Sequence, residues 1–236
     1  MRMTRSLGGV LERFGISVKR ARHQTPARRA LFLKQEGITL VFDVGAHVGD
    51  YGQELRRHGF KGRIEAFEPN PVSFTELQKR SAGDPSWNVR QVGLGDAKGD
   101  MELHVAANQV SSSLLAMHHN HVEAAPESRY VESRTIEVAR LDDLSLAATD
   151  DAVLMKLDTQ GYERQVLEGA AGTLGKVRLI EMEMSLRPLY EGQMLLPEAL
   201  ALLGDLGFSL IWVERVRFTD SRMRLLQLDG IFARAA

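Results

Sequence analysis

The sequence predicts an α/β fold: a doubly wound, mostly parallel, seven-stranded Rossmann-like sheet with helices on both faces and an antiparallel edge strand. Short apolar segments rich in β-branched residues alternate with helical segments of roughly 10 to 15 residues, which is the pattern of βαβ units. The segment ITLVFDV is apolar almost throughout, as expected of a strand buried on both faces of a parallel sheet. The composition, with 44% hydrophobic and 26% charged residues, suits a globular protein with a sizeable core.

Seven strands are predicted in chain order. The first five are expected to run parallel, and they are ITLVFDV, GRIEAFEPN, WNVRQVGLGD, AVLMKLDTQG and VRLIEMEMS. The last two, FSLIWVERV and RLLQLDGIFAR, are predicted to form an antiparallel pair at the edge of the sheet. These segments predict one domain over residues 38–236.

Helices are predicted between the strands and before the first of them. Those between the strands are DYGQELRRHG, PVSFTELQKRSA, YERQVLEGAAGTLG and LPEALALLGDLG. Pro71 suits the first turn of the second helix, and Gly59 closes the first one. SLGGVLERFGISVKR and PARRALFLKQEG precede the first strand and also have helical spacing, so residues 1–37 are predicted to form a helical extension.

One region interrupts the alternation of strands and helices. Residues 99–151 occupy a place where a single crossover helix would suffice. MELHV and RTIEVARLDDL predict added strands, and NQVSSSLLAMHHNHVEAAPES between them is a polar loop. Because the insertion follows a strand end, we expect it to cover a substrate.

Charge is distributed unevenly along the chain. Residues 1–34 contain nine Lys or Arg and one acid, a formal charge of +8, so the remainder carries −9. Such a basic segment suits either a helix packed on the acidic body or a weak contact with a membrane surface or partner. Nucleic acid is not expected, because no interleaved aromatic residues accompany the charges. The chain has no cysteine and no apolar run of roughly 20 residues, which favours a cytoplasmic protein without a transmembrane segment. A homo-oligomer remains open.

The segment VFDVGAHVGDYG predicts a ligand-binding turn. Gly45 and Gly49 allow close approach of the backbone, and the helix that follows offers free N–H groups. The spacing G-x-x-x-G differs from the dinucleotide-binding pattern G-x-G-x-x-G. A bland turn is the alternative interpretation.

Acidic residues are predicted at the tips of three neighbouring strands. Glu68 lies 23 residues after Gly45, where an acid can accept hydrogen bonds from both hydroxyls of a ribose. Asp96 is placed to accept from an adenine amine, with Leu94 and Gly95 along the ring. Together with Asp43, these acids favour a cationic adenosine ligand without phosphate, namely S-adenosylmethionine. The alternatives are an NAD-dependent oxidoreductase and a non-catalytic interaction module.

The motifs VFDVGAHVGDYG, FEPNP, LGD, SSSLL, LDDL, MKLDTQGYERQVLEGA and LIEMEMSLRPLYEG resemble, in this order, those of the FkbM-type methyltransferases. The resemblance covers about residues 38–208. It implies a class I methyltransferase that methylates a hydroxyl of a sugar, glycan or polyketide-type product. The cofactor residues that we expect from the motifs and the strand tips are Asp43, Gly45, Ala46, His47, Gly49, Glu68, Pro69, Asn70, Leu94, Gly95, Asp96 and Asp158. His47 departs from the asparagine usual in the family.

Three carboxylates are candidates for the chemistry. Asp158, at the end of the fourth strand, is the first choice for a general base or substrate orienter. Lys156 is expected to point to the other face of that strand and to pair with an acid. Glu181 and Glu183 share one strand face, which raises one pKa and suits a base. They would otherwise bind the basic N-terminal segment or bracket a sugar.

Other polar residues are assigned no catalytic role. His118, His119 and His121 lie close together, but no second ligand cluster accompanies them, so no metal is expected. His104 is expected to be a neutral structural histidine, with a role as a base as the second interpretation. The serines from Ser111 onward lack a G-x-S-x-G elbow and suit a loop that hydrogen-bonds a ligand. Tyr162 and Tyr190 are placed either along the acceptor pocket or in the core.

Overall fold

The main sheet confirms the predicted doubly wound architecture. The computed structural model describes residues 25–214 and 218–235. Seven strands lie in the order β3-β2-β1-β7-β8-β10-β9. Their bounds are Leu40–Val44 (β1), Arg63–Phe67 (β2), Trp87–Arg90 (β3), Val153–Leu157 (β7), Val177–Ser185 (β8), Phe208–Glu214 (β9) and Gln227–Arg234 (β10).

The strand directions agree with the prediction, but the antiparallel strand is not the edge strand. The strands from β3 to β8 pair in parallel, and β10 pairs antiparallel with both β8 and β9. The predicted antiparallel pair is therefore confirmed. The antiparallel strand β10, however, lies inside the sheet, and β9 forms the edge.

A second sheet corrects the prediction for the third strand. We expected WNVRQVGLGD to be one strand, but β3 ends at Arg90 and the chain then leaves the main sheet. Three strands form the second sheet in the order β4-β6-β5: Gly93–Leu94 (β4), Gly99–Ala106 (β5) and Tyr130–Ala139 (β6). β4 pairs with β6, where a Cβ on Gly93 would lie 3.1 Å from the Ile136 Cδ1. The two added strands of the insertion are confirmed.

The helices predicted before and between the strands are confirmed, one of them shorter than predicted, and the described chain has two further α-helices. The α-helices are Thr25–Gln35 (α1), Asp50–Arg57 (α2), Pro71–Ser81 (α3), His119–Ala124 (α4), Leu141–Leu144 (α5), Glu163–Glu168 (α6) and Leu196–Asp205 (α7). α4 lies in the segment that was predicted to be a polar loop, and α5 is formed by the end of RTIEVARLDDL, which was predicted to be a strand. Pro71 opens α3, capped by the Asn70 side chain. α6 stops before Gly169, where a Cβ would lie 1.8 Å from the Gly95 oxygen. The predicted helix SLGGVLERFGISVKR lies outside the described residues.

Both faces of the sheet are covered by helices. Alternate residues of β1 enter opposite cores: Phe42 packs with residues of α6 and α7, and Val41 packs with residues of α1, α2 and α3. Leu33 of α1 belongs to the second core, so α1 is joined to the body of the fold. Within residues 25–214 and 218–235, no helix has the length and apolar character needed to cross a bilayer.

Candidate functional site

A cavity of about 690 Å³ opens at the carboxyl ends of the parallel strands. β1 and β7 are neighbours here, and the chain builds the sheet outward from them in both directions, so the cavity lies at the switch in strand order. Residues 108–114 of the insertion line it as well. β2 and β8 lie three strand spacings apart, roughly 14 Å, which gives the cavity two sides. We call them the Glu68 side (Gly45, Ala46, His47, Glu68 and Pro69) and the Glu183 side (Gln160, Glu181, Glu183, Gln227 and Asp229).

The turn after β1 is shaped by close packing. Gly45 and Gly49 have φ of 75° and 89°, in the left-handed region that favours glycine. A Cβ on Gly45 would lie 1.9 Å from the Asp158 carbonyl oxygen, and one on Gly49 would lie 2.8 Å from the Leu77 Cδ1. Gly45 lines the cavity, whereas Gly49 faces the core beside Leu77 and Trp87. The first glycine lets β1 and β7 end side by side, and the second lets α3 approach.

Glu68 joins the turn to the tip of β2. Its carboxylate accepts hydrogen bonds from the backbone N–H of His47 and of Asn70, each at 2.8 Å. Burial raises the pKa of Glu68 to about 7, against the lowering effect of these two hydrogen bonds. His47 lies beside it with φ of 49°, and burial lowers its pKa. Glu68 lies where a ribose ligand was predicted.

A buried ion pair lies beneath the turn. Asp43 is fully buried, and Lys156 Nζ lies 3.3 Å from its Oδ1. Lys156 also donates to the Gly45 oxygen at 2.8 Å and lies 3.6 Å from the Asp158 Oδ2. Burial raises the pKa of Asp43, and although burial alone would lower that of Lys156, Asp43 and Asp158 raise it. The expectation that Lys156 points away from Asp158 was wrong, because residues two apart share a strand face.

The third predicted tip is arranged differently. Leu94 lines the cavity, but Gly95 and Asp96 are not among the described residues that line it, and Asp96 is exposed. The reason is the break after Arg90, since the segment holding Asp96 leaves the main sheet with β4. The tip of β3 instead supplies the Arg90 oxygen, which accepts from the Glu68 N–H at 3.1 Å.

Asn70 and Pro69 occupy the bend after β2. Pro69 lines the cavity. Asn70 is buried outside the described lining and donates from Nδ2 to the Gln109 Oε1 at 3.0 Å. This hydrogen bond ties the insertion to the Glu68 side. Asn70 therefore positions the loop, with no direct exposure to the cavity.

Asp158 is held in a network centred on Gln160. The Gln160 Nε2 donates to the Asp158 Oδ1 at 2.7 Å and to the Glu183 Oε2 at 3.0 Å. Tyr190 donates to the Gln160 Oε1 at 2.6 Å, and the Ser113 hydroxyl donates to the Gln160 backbone oxygen at 2.7 Å. Gln160 has φ of 54°, an uncommon conformation for this residue type that these contacts hold in place. The network fixes two of the predicted catalytic carboxylates relative to each other.

Glu181 and Glu183 have different partners although both line the cavity. Glu181 pairs with Arg29 of α1 through two hydrogen bonds, one of 2.6 Å from Nε, and it accepts from the Tyr51 hydroxyl at 2.8 Å. Arg29 also pairs with Glu54 of α2. The predicted pairing with the basic N-terminal segment therefore holds for Glu181. Glu183 makes no ion pair within the described chain, and burial together with Asp158 raises its pKa well above the usual value.

Sequence reasoning missed the contribution of β10. Gln227 donates to the Glu183 Oε2 at 2.8 Å, and Asp229 lies directly opposite Glu183 in the pairing of β8 with β10. Burial, followed by the nearby Asp158, raises the pKa of Asp229 to about 7. The available signal was the spacing of two polar residues in RLLQLDGIFAR, which places Gln227 and Asp229 on one face of an otherwise apolar strand.

The histidines and aromatic residues have packing roles. His121 is buried, contacts the Tyr190 ring edge-on at 5.1 Å, and has a pKa lowered by burial to about 4. His118 caps α4 by accepting from the Asn120 N–H. His104 stacks on Tyr130. In the part of the chain that the structure describes, no three His, Cys, Asp or Glu side chains are placed to hold a metal ion.

The remaining candidates also have local partners. Ser111 and Ser113 are buried in the insertion and line the cavity. Ser111 accepts from the Asn108 Nδ2 at 3.0 Å. Tyr162 packs in the same core cluster as Leu94, and its ring would lie 3.0 Å from a Cβ on Gly95. The hydroxyls of Ser111 and Ser113 hydrogen-bond within the protein, and no histidine ring of the described chain hydrogen-bonds to either of them.

Comparison with known proteins shows similarity to methyltransferases. A family model described as the methyltransferase FkbM domain matches residues 43–210. The 2-O-methyltransferase NoeI of Sinorhizobium fredii is 26% identical over 183 residues, which is 75% of this chain and 75% of that protein. The hexuronic acid methyltransferase AglP of Haloferax volcanii is 26% identical over 158 residues, covering 66% of this chain and 60% of AglP, less than two thirds of its length.

A solved structure supports the fold. Magnesium protoporphyrin IX methyltransferase (ChlM) from Synechocystis PCC 6803, solved with bound S-adenosylmethionine, superposes with a TM-score of 0.50 at 14% identity. The superposition covers 90% of this chain and 79% of that chain. At this identity, the likeness concerns the Rossmann-like architecture.

Proposed function

The chain belongs to the FkbM methyltransferase domain family, and from this premise we propose that it transfers a methyl group from S-adenosylmethionine to a hydroxyl of a sugar, glycan or related metabolite. The names of the relatives NoeI and AglP, a 2-O-methyltransferase and a hexuronic acid methyltransferase, support a sugar acceptor. The observation that carries the proposal is the cavity at the switch in strand order, with Glu68 at one side and Asp158 at its centre.

The residues of the Glu68 side fit the proposed cofactor. Glu68 has a second lone pair on each oxygen beyond the two backbone hydrogen bonds, and these can accept from ribose hydroxyls. Asp43 forms an ion pair with Lys156 beneath the Gly45 turn and adds little net charge, so the negative charge beside the turn comes from Glu68 and Asp158. This charge favours a sulfonium cation over a pyrophosphate.

The catalytic part of the proposal concerns proton removal from the acceptor. When bound, S-adenosylmethionine supplies an electrophilic methyl group. Asp158 accepts the hydroxyl proton in our proposal, and Gln160 holds its carboxylate in one orientation. Glu183 shares that amide and orients the acceptor. Glu181 is engaged by Arg29 and Tyr51, so we assign it a structural role rather than that of base.

An NAD-dependent oxidoreductase and a non-catalytic module are the alternatives. The third glycine of the dinucleotide pattern is absent, and the acids around the Gly45 turn would repel a pyrophosphate. Calorimetry with each cofactor separates these functions: we expect S-adenosylmethionine to bind and NAD not to bind. Binding of NAD alone would contradict the proposal. Turnover is then tested by mass spectrometry of glycans from a deletion strain, which should lack a methylation present in the parent strain.

We further propose that residues 38–236 form the methyltransferase domain, with an insertion at 99–151, and that residues 1–37 are an extension of it. Two observations support a functional connection between the extension and the domain: Leu33 packs in the core, and Arg29 lines the cavity. Our proposal places the enzyme in the cytoplasm, where S-adenosylmethionine is available. A cell fractionation that follows the full chain tests this location.

A further inference from the structure

The cavity has an excess of acidic side chains. Among the described residues, three cations line it: Arg29, Arg57 and Lys156. Arg29 is paired with Glu181 and Glu54, and Lys156 is paired with Asp43 and Asp158. The acids that line it are Asp50, Glu54, Glu68, Glu127, Asp158, Glu181, Glu183 and Asp229. The excess lies partly on the Glu183 side, where Glu183 and Asp229 form no ion pair within the described chain.

Glu183 and Asp229 lie next to each other and share the cavity. Residues opposite each other in an antiparallel pair have Cβ atoms roughly 5 Å apart, and like charges at such positions are destabilising. Two amides, from Gln160 and Gln227, donate to one oxygen of Glu183. Asp229 accepts no hydrogen bond from a described residue. Two adjacent carboxylates of this kind lower stability and leave oxygens without hydrogen-bond donors. Such an arrangement is expected where a bound ligand supplies the missing donors.

Aromatic side chains complete this part of the wall. His121 and Phe218 both line the cavity, with ring centroids 5.3 Å apart. A neutral imidazole and a phenyl ring can pack against the C–H face of a sugar, and the carboxylates and amides in the same cavity can bind its hydroxyls.

We propose that the Glu183 side binds a neutral sugar ring, with Glu183 and Asp229 accepting hydrogen bonds from its hydroxyls, and that it discriminates against uronic acids. This inference rests on the proposed function. At pH 8, where Asp229 is ionised, a carboxylate on the acceptor would lie against like charge, and the described residues of the Glu183 side include no free cation to pair with it. Like-charge contacts across a binding surface are strongly unfavourable, so we expect a preference of roughly tenfold or more for the neutral sugar.

The protonation of Asp229 supplies a second readout. Its carboxyl faces Asp158 after β7, Glu181 and Glu183 on β8, Glu214 on β9 and the cation Arg29. Because its pKa is about 7, it is largely protonated at pH 6 and ionised at pH 8. The preference for neutral over acidic sugars should therefore increase between these two pH values.

The test uses the full chain with S-adenosylmethionine and pairs of glycans that differ only at C6 of the terminal sugar, as in glucosyl and glucuronosyl, or galactosyl and galacturonosyl. Formation of S-adenosylhomocysteine gives kcat/KM for each member. We expect the neutral member to be favoured roughly tenfold at pH 8. Asp229→Asn should reduce this ratio severalfold and remove its pH dependence, whereas Glu102→Gln, exposed on β5, should leave both unchanged.

The possible failures are distinct. Methylation of uronic acids as fast as, or faster than, their neutral partners would overturn this inference and leave the proposed function intact. Methylation of no glycan, with S-adenosylmethionine bound, would overturn the sugar acceptor and the inference together. An unchanged ratio in a folded Asp229→Asn variant would overturn the role of Asp229.

Discussion

The Glu68 side of the cavity is formed largely by backbone around two neighbouring strand tips, whereas the Glu183 side is formed by side chains from three separate elements: β8, β10 and the segment after β7. On the first side, Gly45 allows β1 and β7 to end together, and Glu68 is fixed by two backbone N–H groups. On the second side, the Gln160 network and the Arg29–Glu181 pair join segments as much as 152 residues apart in the chain.

This difference indicates how the two sides are constrained. A site formed by backbone tolerates change in most side chains but depends on the few glycines that permit its geometry. A site formed by side-chain networks depends on the pairing of each charge, since a buried charge without its partner is costly. In our proposal the first arrangement binds the cofactor and the second binds the acceptor.

On the Glu68 side, Gly45→Ala is expected to disrupt the backbone geometry most. The new Cβ would lie 1.9 Å from the Asp158 oxygen, at a φ of 75° that alanine rarely adopts, so the tips of β1 and β7 must separate. We expect a loss of about 4 kcal/mol in the free energy of unfolding and no measurable cofactor binding. Gly83→Ala, where no atom lies within 4 Å, is the control. Denaturant unfolding and calorimetry measure both effects, and normal affinity in the Gly45 variant would contradict this account of the turn.

On the Glu183 side, the largest effect is expected from Arg29→Met, which removes the ion pair with Glu181. This change leaves Glu181 buried without its cation, for an expected loss of about 3 kcal/mol in the free energy of unfolding. A double variant with Glu181→Met should recover most of that loss. Lys34→Met, exposed on the same helix, should have little effect. If the single and double variants are equally destabilised, the pair does not couple α1 to the cavity.

Asp158→Asn tests the point where the two sides meet. Because the amide cannot accept the hydroxyl proton, kcat should fall roughly 10²-fold or more, while the Kd for S-adenosylmethionine remains within about twofold. Asp143→Asn on α5 serves as the control. Steady-state kinetics and calorimetry measure the two constants, and an unchanged kcat would remove Asp158 from the role of base.

Glu68→Ala tests how much the Glu68 carboxylate contributes to cofactor affinity. The variant leaves the His47 and Asn70 N–H groups without acceptors and, in our proposal, also loses the hydrogen bonds that Glu68 accepts from the ribose. We expect affinity for S-adenosylmethionine to fall roughly tenfold or more. Glu65→Ala, on β2 just before Glu68 and not among the described residues that line the cavity, should change stability without changing affinity. Equal affinities for the wild type and the Glu68 variant would place the ribose elsewhere.

The smallest expected effect is on the pH dependence of stability, through Asp229 on the Glu183 side. Burial raises the Asp229 pKa to about 7, so the folded protein binds a proton that the unfolded chain has released. The contribution to stability is therefore present below the ordinary carboxyl pKa and is lost as the pH rises to about 7. Asp229→Asn should reduce this decline, raising Tm at pH 8 relative to the wild type by roughly 2–4 °C for each kcal/mol recovered. Asp205→Asn is the control, and an unchanged difference in Tm between pH 5 and pH 8 would contradict the shift.

The same difference between the two sides explains which parts the sequence could predict. Glu68 and Gly45 could be located because their partners lie in adjacent strands of a regular βαβ pattern. Asp96 was placed wrongly relative to the sheet, because a break after Arg90 depends on pairing of β4 with β6 far along the chain. Gln160, Gln227 and Asp229 were missed since their roles depend on which strands become neighbours, and β10 lies beside β8 only through a connection outside the βαβ repeat.

The most direct test of the central claim is a crystal structure of the chain with S-adenosylhomocysteine. Our account predicts density for the ribose within hydrogen-bonding distance of Glu68, with the sulfur directed toward Asp158 and the Glu183 side left open for the acceptor. Density on the Glu183 side, at a surface outside the cavity, or nowhere at saturating concentration would contradict it.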